Sequence, residues 1–333
     1  MHRTEGRPVK TLTSGKIRGL TQASNDAGVF AIFAIDHRDS MRIIIDPQRP
    51  DRIAAQQMTD TKLEFVRAMA PSATAVLLDP EYSAIQAVDS RALTGDAALL
   101  CAIEAQGYLG DPNSRETTLL DGWSVGKIKR LGASGVKLLL LYRPGSTIAT
   151  TQEELVSEVV AACAAHDIPL FLEPVAYELD GTEAPGTAQF GSDRRAIVCE
   201  SARRLGALGP DVLKLQFPAD TTAGIDRSEC EDACAELDEA SPVPWTLLSG
   251  GDPIDSFVEQ VRIACEAGAS GFLVGRTLWA DAVRARGADR QALIDSFVRP
   301  RFTELADIAS DAGTDWGARY KLEDRGPAND RRE

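Results

Sequence analysis

The chain has 333 residues, 44% hydrophobic content and a formal net charge of −14 at pH 7. This composition is typical of a globular protein with a sizeable core, and the acidic balance argues against a nucleic-acid surface. No apolar run reaches the length of a membrane span, and no apolar segment follows the basic N-terminal residues, so we expect no membrane partner and no secretory signal. The six cysteines form no C-x-x-C pair, which indicates reduced thiols in the cytoplasm.

Eight short apolar segments predict buried strands, and most of them end at an acid, a glycine or a proline. In chain order they are 29–36, 75–80, 97–105, 136–142, 169–174, 211–218, 245–251 and 271–276. The third segment is the weakest strand, because its alanines and leucines also suit a helix.

Helical patterns separate these strands. They cover 16–23, 50–70, 125–131, 153–166, 194–205, 228–239, 253–267, 278–286 and 291–312. We expect Asp252 to cap the helix that Pro253 opens. A long polar loop is predicted over 178–193, and the end of the chain, 326–333, is expected to be disordered.

The alternation of apolar strands with helices predicts an α/β fold, a single (β/α)8 TIM barrel with extra terminal helices. A doubly wound open sheet would carry a glycine-rich fingerprint after its first strand, and the residues after Asp36 contain none. We assign 1–25 to an N-terminal lead-in, 26–320 to the barrel and 321–333 to a polar C-terminal tail.

Charged residues within or at the ends of these strands predict the active site, since all eight strand ends meet at one mouth of a barrel. Lys214 lies inside an apolar strand, where burial favours loss of the amine's proton and leaves a nucleophile; alternatively it ends an edge strand and reaches solvent. Lys137 is expected to approach it, so that each lysine disfavours protonation of the other, with Glu173 between them as general acid and base. Asp36 is expected to orient a substrate hydroxyl or hold one lysine. For Asp79 we expect a strand end that turns into solvent.

A second group of residues predicts an anion site. Ser249, Gly250 and Gly251 lead from the seventh strand to a helix N-terminus, and Gly275 and Arg276 end the eighth. Glycine N–H groups approach an anion closely, and loops after strands seven and eight are the usual phosphate site of such barrels.

Two histidines and a cysteine pair are further candidates for function. His37 is expected either to contact a ligand or to pack, and His166 to lie in solvent. With only three histidines a multi-histidine metal site is nearly excluded, and Cys230 and Cys234 lack further ligands for a thiolate metal site. We therefore expect no metal.

Six motifs occur in order between about residues 20 and 320: Ala34-Ile-Asp36-His-Arg38, Leu77-Leu-Asp79-Pro-Glu81-Tyr82, Val136-Lys137-Leu-Leu, Phe171-Leu-Glu173, Asp211-Val-Leu-Lys214 and Gly275-Arg276. Together they resemble the class I tagatose-1,6-bisphosphate aldolase family. This resemblance implies a (β/α)8 barrel and a Schiff-base aldolase without metal or cofactor.

The resemblance also implies a role for each matching residue. Lys214 matches the Schiff-base lysine and Glu173 the acid/base. Lys137 and Asp36 match the supporting polar pair. Ser249 and Arg276 match the phosphate contacts.

Parts of the chain are similar to a sister branch, the sulfofructose-phosphate aldolases. These parts are Glu173-Pro174 and 269–273. Two positions depart from the relatives: His37 stands where they usually carry glutamine, and Gln216 where an acid is common. Arg38 and Arg143 are candidates for binding the far end of the substrate, whether phosphate or sulfonate.

The expected activity is reversible cleavage of a phosphorylated ketose, foremost tagatose 1,6-bisphosphate, to dihydroxyacetone phosphate and an aldehyde. A 6-deoxy-6-sulfofructose-1-phosphate aldolase, a metal-dependent aldolase and a non-catalytic phosphometabolite sensor are the alternatives. The expected partner is a small sugar phosphate, and a homo-oligomer is left open.

Overall fold

The computed structural model describes residues 10–94, 96–177, 193–221 and 226–321. Nearly all of the loop predicted over 178–193, and the tail predicted over 326–333, lie outside these residues. The strands are β1 (Lys10–Thr11), β2 (Phe30–Ala34), β3 (Ala75–Leu78), β4 (Ala98–Ala102), β5 (Gly135–Leu141), β6 (Leu170–Val175), β7 (Val212–Leu215), β8 (Trp245–Leu248), β9 (Gly271–Val274) and β10 (Tyr320–Lys321).

Strands β2 to β9 form a closed barrel of eight parallel strands in chain order. The barrel closes where β9 pairs with β2, with Val274 opposite Phe33. The predicted (β/α)8 barrel is confirmed, including β4, the strand with the weakest sequence pattern. A separate parallel pair joins β1 to β10.

Helices surround the barrel. They are α1 (Ser14–Ala23), α2 (Asp39–Ile45), α3 (Ala55–Met69), α4 (Ala84–Asp89), α5 (Val125–Leu131), α6 (Ala149–Ala165), α7 (Arg194–Gly206), α8 (Arg227–Ala240), α9 (Ile254–Glu266), α10 (Arg276–Arg284), α11 (Gly287–Leu293) and α12 (Arg299–Ala312). Among the described residues, no helix is long and apolar enough to cross a membrane.

Three helix predictions need correction. The short helices α2 and α4 were not predicted. The single helix predicted over 291–312 is divided by a π-helical turn, Ile294–Val298, because Pro300 has no N–H and its ring clashes with the carbonyl four residues earlier. Asp252 does not cap α9: Pro253 is the N-cap residue, and the Asp252 carboxylate accepts a hydrogen bond from Gln260 (3.0 Å).

Side chains alternate between the two faces of each barrel strand, and both faces are apolar below the mouth. The inward-facing residues fill the barrel, and Phe30 and Phe171 meet edge to face with ring centroids 5.4 Å apart. The outward-facing residues pack under the helices, as Phe33 and Phe272 do against Phe302 of α12. The barrel is therefore a filled core rather than a channel.

The bottom of the barrel is closed by a buried ion cluster. Asp211 is fully buried and accepts hydrogen bonds from Lys10 (2.9 Å) and Lys16 (2.7 Å). The hydroxyl of Tyr320 donates to the Asp211 backbone carbonyl. These contacts tie both ends of the described chain to the base of β7, opposite the mouth.

Candidate active site

Five charged side chains converge at the mouth of the barrel. Lys137, Glu173 and Lys214 occupy inward positions on the neighbouring strands β5, β6 and β7, while Asp36 and Glu104 follow β2 and β4. Each is at most 9% exposed. The closed barrel thus brings together the four catalytic residues predicted from the sequence, and adds Glu104.

Glu173 lies between the two lysines. Its Oε1 is 2.8 Å from the Nζ of Lys214, and its Oε2 is 3.1 Å from the Nζ of Lys137. A carboxylate at these distances can exchange a proton with the Lys214 amine directly. The predicted approach of the two lysines is therefore mediated by the acid between them.

Lys137 has three carboxylate neighbours. Its Nζ is 2.8 Å from Asp36 and 2.7 Å from Glu104, in addition to the Glu173 contact. Burial by itself lowers the pKa of the Lys137 ammonium, but the negative charges of Asp36, Glu104 and Glu173 outweigh it and raise that pKa well above its usual value. The expectation that both lysines disfavour each other's protonation is wrong for Lys137, which is held as a cation.

Asp36 is held as an anion by the same cluster. Burial raises the pKa of a carboxyl group, yet the positive charges of Lys137 and Lys214, together with the hydrogen bond from Lys137, bring the pKa of Asp36 well below its usual range. Of the two roles expected for Asp36, the structure shows that it holds a lysine.

Glu104 was missed in the sequence. Besides its contact with Lys137, its Oε2 accepts a hydrogen bond from the backbone N–H of Leu139 (3.0 Å), which fixes the carboxylate against β5. It directly follows Ile103, the last large apolar residue of the third segment, so the same search for charges at strand ends that identified Asp36 would have found it. Because that segment also suits a helix, its end was not recognised as a strand end.

A small cavity of about 70 Å³ opens beside Lys214 and Glu173. Its polar wall contains most of the predicted anion site: Ser249, Gly250, Gly275 and Arg276. The Arg276 guanidinium donates to the Gly250 carbonyl (2.9 Å), and the Gly275 N–H points at the Ser249 hydroxyl (3.5 Å). Burial lowers the pKa of Arg276, and the acids Glu173, Asp36 and Asp252 oppose that effect.

Two details of the anion site differ from the sequence prediction. Arg276 is the first residue of α10 rather than the last of a strand, so the helix N-terminus beside the cavity belongs to α10. Gly251 adopts a left-handed backbone (φ 102°) next to the Arg276 side chain but does not line the cavity. Its predicted role in binding stays a prediction.

His37 lines the same cavity. Its ring meets Trp279 edge to face at 5.0 Å between centroids, and Trp279 is fixed by donating to the Ala34 carbonyl (2.9 Å). Burial lowers the pKa of His37 to about 3 despite the nearby Asp36 charge. The imidazole is therefore neutral at physiological pH.

Arg38 lies behind the cavity rather than in its wall. It is buried, forms an ion pair with Glu81 (2.7 Å) and donates to the Glu104 carbonyl (2.8 Å). These contacts support Glu104, and substrate binding by Arg38 stays a prediction.

Asp79 does not turn into solvent, as the sequence suggested. It is fully buried, forms an ion pair with Lys62 of α3, and accepts hydrogen bonds from the Ser83 hydroxyl (2.6 Å) and the Tyr82 N–H (2.7 Å). The compensating lysine comes from a distant helix, which is why the sequence around Asp79 does not reveal it.

Residues 30–281 match a family model described as the DeoC/LacD family aldolase. The chain belongs to the DeoC/LacD aldolase family. It is therefore an aldolase, a lyase that acts on carbon–carbon bonds, and the resemblance drawn from the sequence motifs is confirmed.

Individual relatives of this aldolase agree with the family. The chain is 29% identical to tagatose 1,6-diphosphate aldolase 1 of Enterococcus faecalis, over 83% of this chain and 87% of that protein. It is also 29% identical to tagatose 1,6-diphosphate aldolase 2 of Streptococcus agalactiae, over 92% of this chain and 99% of that protein.

Solved structures share the barrel. An archaeal fructose 1,6-bisphosphate aldolase has a TM-score of 0.59 at 20% identity, covering 88% of this chain and 98% of that one. Fructose-bisphosphate aldolase of Plasmodium falciparum has a TM-score of 0.68 at 11% identity, covering 92% and 98%. At these identities the likeness shows the fold.

Proposed function

We propose that this aldolase uses a Schiff base on Lys214 to cleave a ketose bisphosphate reversibly, with tagatose 1,6-bisphosphate as the foremost substrate. The products are dihydroxyacetone phosphate and an aldehyde. The observation that carries the proposal is the Lys214 amine, 2.8 Å from the Glu173 carboxylate, in one cavity with the Arg276 guanidinium and the Ser249 and Gly250 turn. The names of the curated relatives support the choice of substrate.

The first step forms the covalent bond. Glu173 accepts a proton from Lys214, whose neutral amine then attacks the C2 carbonyl carbon of the ketose. Glu173 returns this proton to the C2 oxygen to give a carbinolamine, and then moves a second proton from the attacking nitrogen to the same oxygen, which leaves as water. The product is an iminium ion between Lys214 and C2.

The second step breaks the C3–C4 bond. Glu173, again a carboxylate, removes the proton of the C4 hydroxyl while the C3–C4 bonding electrons move to the iminium nitrogen. The aldehyde leaves and an enamine remains on Lys214. Protonation of the enamine at C3, followed by hydrolysis, releases dihydroxyacetone phosphate and regenerates the amine.

The charges around Glu173 suit this cycle. Lys137 remains a cation and contacts Glu173 and Asp36, so it holds both carboxylates in place and offsets negative charge near the substrate. The C1 phosphate is placed against Arg276, Ser249 and Gly250, at the N-terminus of α10, where a helix favours an anion.

The setting of the enzyme is part of the proposal. We place its sugar phosphate substrate and its activity in the cytoplasm. Six buried, free cysteines support a reducing compartment. The described residues contain no group of three or more histidines, cysteines or acids placed to hold a metal ion, and metal independence stays a prediction.

Replacement of the nucleophile tests the mechanism. Lys214→Met keeps the apolar stem but removes the amine, so we expect release of dihydroxyacetone phosphate from tagatose 1,6-bisphosphate to fall at least about a thousandfold. Lys129→Met, at an exposed position on α5, is the control and should retain full activity. Turnover retained by Lys214→Met would contradict a Schiff-base mechanism on this lysine.

The same assay separates the substrate alternatives. Preferential cleavage of 6-deoxy-6-sulfofructose 1-phosphate by the wild type would show that the substrate carries a sulfonate at its far end. The Schiff-base mechanism would be unaffected by that result. Tight binding of ketose phosphates without turnover would favour a sensor.

A further inference from the structure

His37 stands between the two halves of the site. It follows Asp36 in the chain, and its ring lines the cavity together with Lys214 and Arg276. The ring edge at Cε1 approaches Gly275 so closely that a Cβ there would lie 3.0 Å from it. Trp279 contacts the ring edge to face, with 5.0 Å between the ring centroids. The imidazole is thus held by packing on the wall where substrate must lie.

The two ring nitrogens have different surroundings. Nδ1 is buried, has no hydrogen-bond partner within the described residues, and lies 3.6 Å from Asp36 Oδ1. Nδ1 is buried next to Asp36, which leaves Nε2 as the ring nitrogen available to a ligand in the cavity that His37 lines. A ligand in the cavity therefore meets Nε2.

The protonation state follows from these surroundings. A neutral imidazole carries a single N–H, and the anionic carboxylate of Asp36 favours its placement on Nδ1. Nε2 then presents a lone pair to the cavity and acts as a hydrogen-bond acceptor. A phosphate oxygen would be repelled by this lone pair, whereas a hydroxyl group can donate to it.

We propose that His37 Nε2 accepts a hydrogen bond from the C3 hydroxyl of the ketose, the hydroxyl that remains on the dihydroxyacetone phosphate half. The inference rests on the proposed function. Lys214 takes C2 and the Arg276 side takes the C1 phosphate, so C3 is the one carbon of the retained half that these contacts leave unassigned. His37 is thereby a specificity-determining residue that selects three-carbon ketone phosphates bearing this hydroxyl.

The test compares two ligands that differ by this hydroxyl alone, dihydroxyacetone phosphate and hydroxyacetone phosphate. Each is titrated with the full-length protein in the presence of borohydride, and the reduced adduct is quantified by intact mass. The readout is the ratio of the two half-saturating concentrations. Intrinsic reactivity of the two ketones contributes the same factor in every variant, so changes in the ratio report the protein's contribution.

Two variants of His37 distinguish the role of Nε2 from that of Nδ1. His37→Gln places an amide near the position of Nε2 and retains an acceptor, whereas His37→Asn reaches only the position of Nδ1. We expect the preference for dihydroxyacetone phosphate to fall roughly tenfold in His37→Asn and to stay within about twofold of wild type in His37→Gln. Thermal unfolding of both variants checks that they fold.

Other outcomes overturn the inference. An unchanged ratio of half-saturating concentrations in His37→Asn would show that Nε2 does not form a hydrogen bond with the C3 hydroxyl. An equal fall in both variants would assign the preference to packing on Trp279 rather than to Nε2. Adducts that form equally well with both ligands in the wild type would contradict His37 selectivity and leave the Schiff base standing, whereas no adduct with either ligand would remove the proposed function itself.

Discussion

Lys137 is a buried cation that is surrounded by more negative charge than it carries positive charge. Three carboxylates lie within 3.1 Å of its Nζ, while the second lysine of the site contacts Glu173 alone of the three. Removing the ammonium would leave Asp36, Glu104 and Glu173 facing one another in a desolvated space, where like charges are costly. Lys137 therefore stabilises the fold and the site together.

This arrangement predicts a large loss of stability in Lys137→Met. We expect the free energy of unfolding to fall by about 3–5 kcal/mol, the usual result of removing one partner from a buried ion cluster. Urea unfolding followed by circular dichroism measures it, with Lys129→Met expected to stay within about 0.5 kcal/mol of wild type. Equal unfolding midpoints for Lys137→Met and wild type would contradict the ion cluster.

His37 makes stability depend on pH. Its pKa is about 3 in the folded protein and returns to its ordinary value near 6.5 on unfolding, so between these values the unfolded chain binds more protons. The stabilisation is complete above pH 6.5 and is lost as the pH falls. From pH 7.5 to 5.0 the unfolding free energy of wild type should fall further than that of His37→Gln, by up to about 2 kcal/mol. Parallel pH profiles from urea unfolding would refute this.

At the scale of elements, the barrel strands were predictable because each is buried on both faces and reads as a continuous apolar run. The helices α2 and α4 were not predictable, because segments of seven and six residues make too few turns to show a helical repeat of apolar residues. The helix α9 was predicted correctly, but its cap was assigned wrongly. The Asp252 carboxylate accepts a hydrogen bond from the Gln260 side chain instead, a contact that the residues next to Asp252 do not reveal.

One contact between elements links α3 to the end of β3. Lys62 and Asp79 are both fully buried, and Asp79 also accepts hydrogen bonds from the Ser83 hydroxyl and from the turn after β3. Burial lowers the pKa of Lys62, an effect that the Asp79 charge opposes. Each charge is tolerated because the other is present.

A double-mutant cycle tests that dependence. Lys62→Met alone leaves the Asp79 carboxylate buried and should cost about 3–5 kcal/mol of unfolding free energy. Adding Asp79→Asn removes the orphaned charge and keeps an acceptor for the Tyr82 N–H, so the double variant should cost less than the sum of the singles by at least about 1 kcal/mol. Additive losses would show that the two residues act independently.

At the scale of the whole molecule, two ion clusters lie at opposite ends of the barrel, a structural one at the base and the candidate catalytic one at the mouth. Apolar side chains fill the interior, Asp211 and its lysines close the base, and the charged cluster stands at the mouth. The parallel closed sheet produces this division, because every strand delivers its carboxyl end to the same side.

The sequence predicted which strand ends carry the site but not how they connect. Asp36, Lys137, Glu173 and Lys214 stand out as charges in apolar runs, which is a local signal. The bridging position of Glu173 depends on strands that meet only in the closed barrel. The contact of Gln216 also depends on two strands that meet only in the barrel. Its side-chain oxygen accepts a hydrogen bond from the Ala176 N–H (2.9 Å), beyond the last paired residues of β6 and β7.

Borohydride trapping with dihydroxyacetone phosphate, followed by intact mass and peptide mapping, identifies the lysine that forms the Schiff base. We expect one reduced adduct per chain, located on the peptide that contains Lys214 and absent from Lys214→Met. An unmodified Lys214 peptide in the wild type, or an adduct on Lys137, would contradict the assignment of the nucleophile.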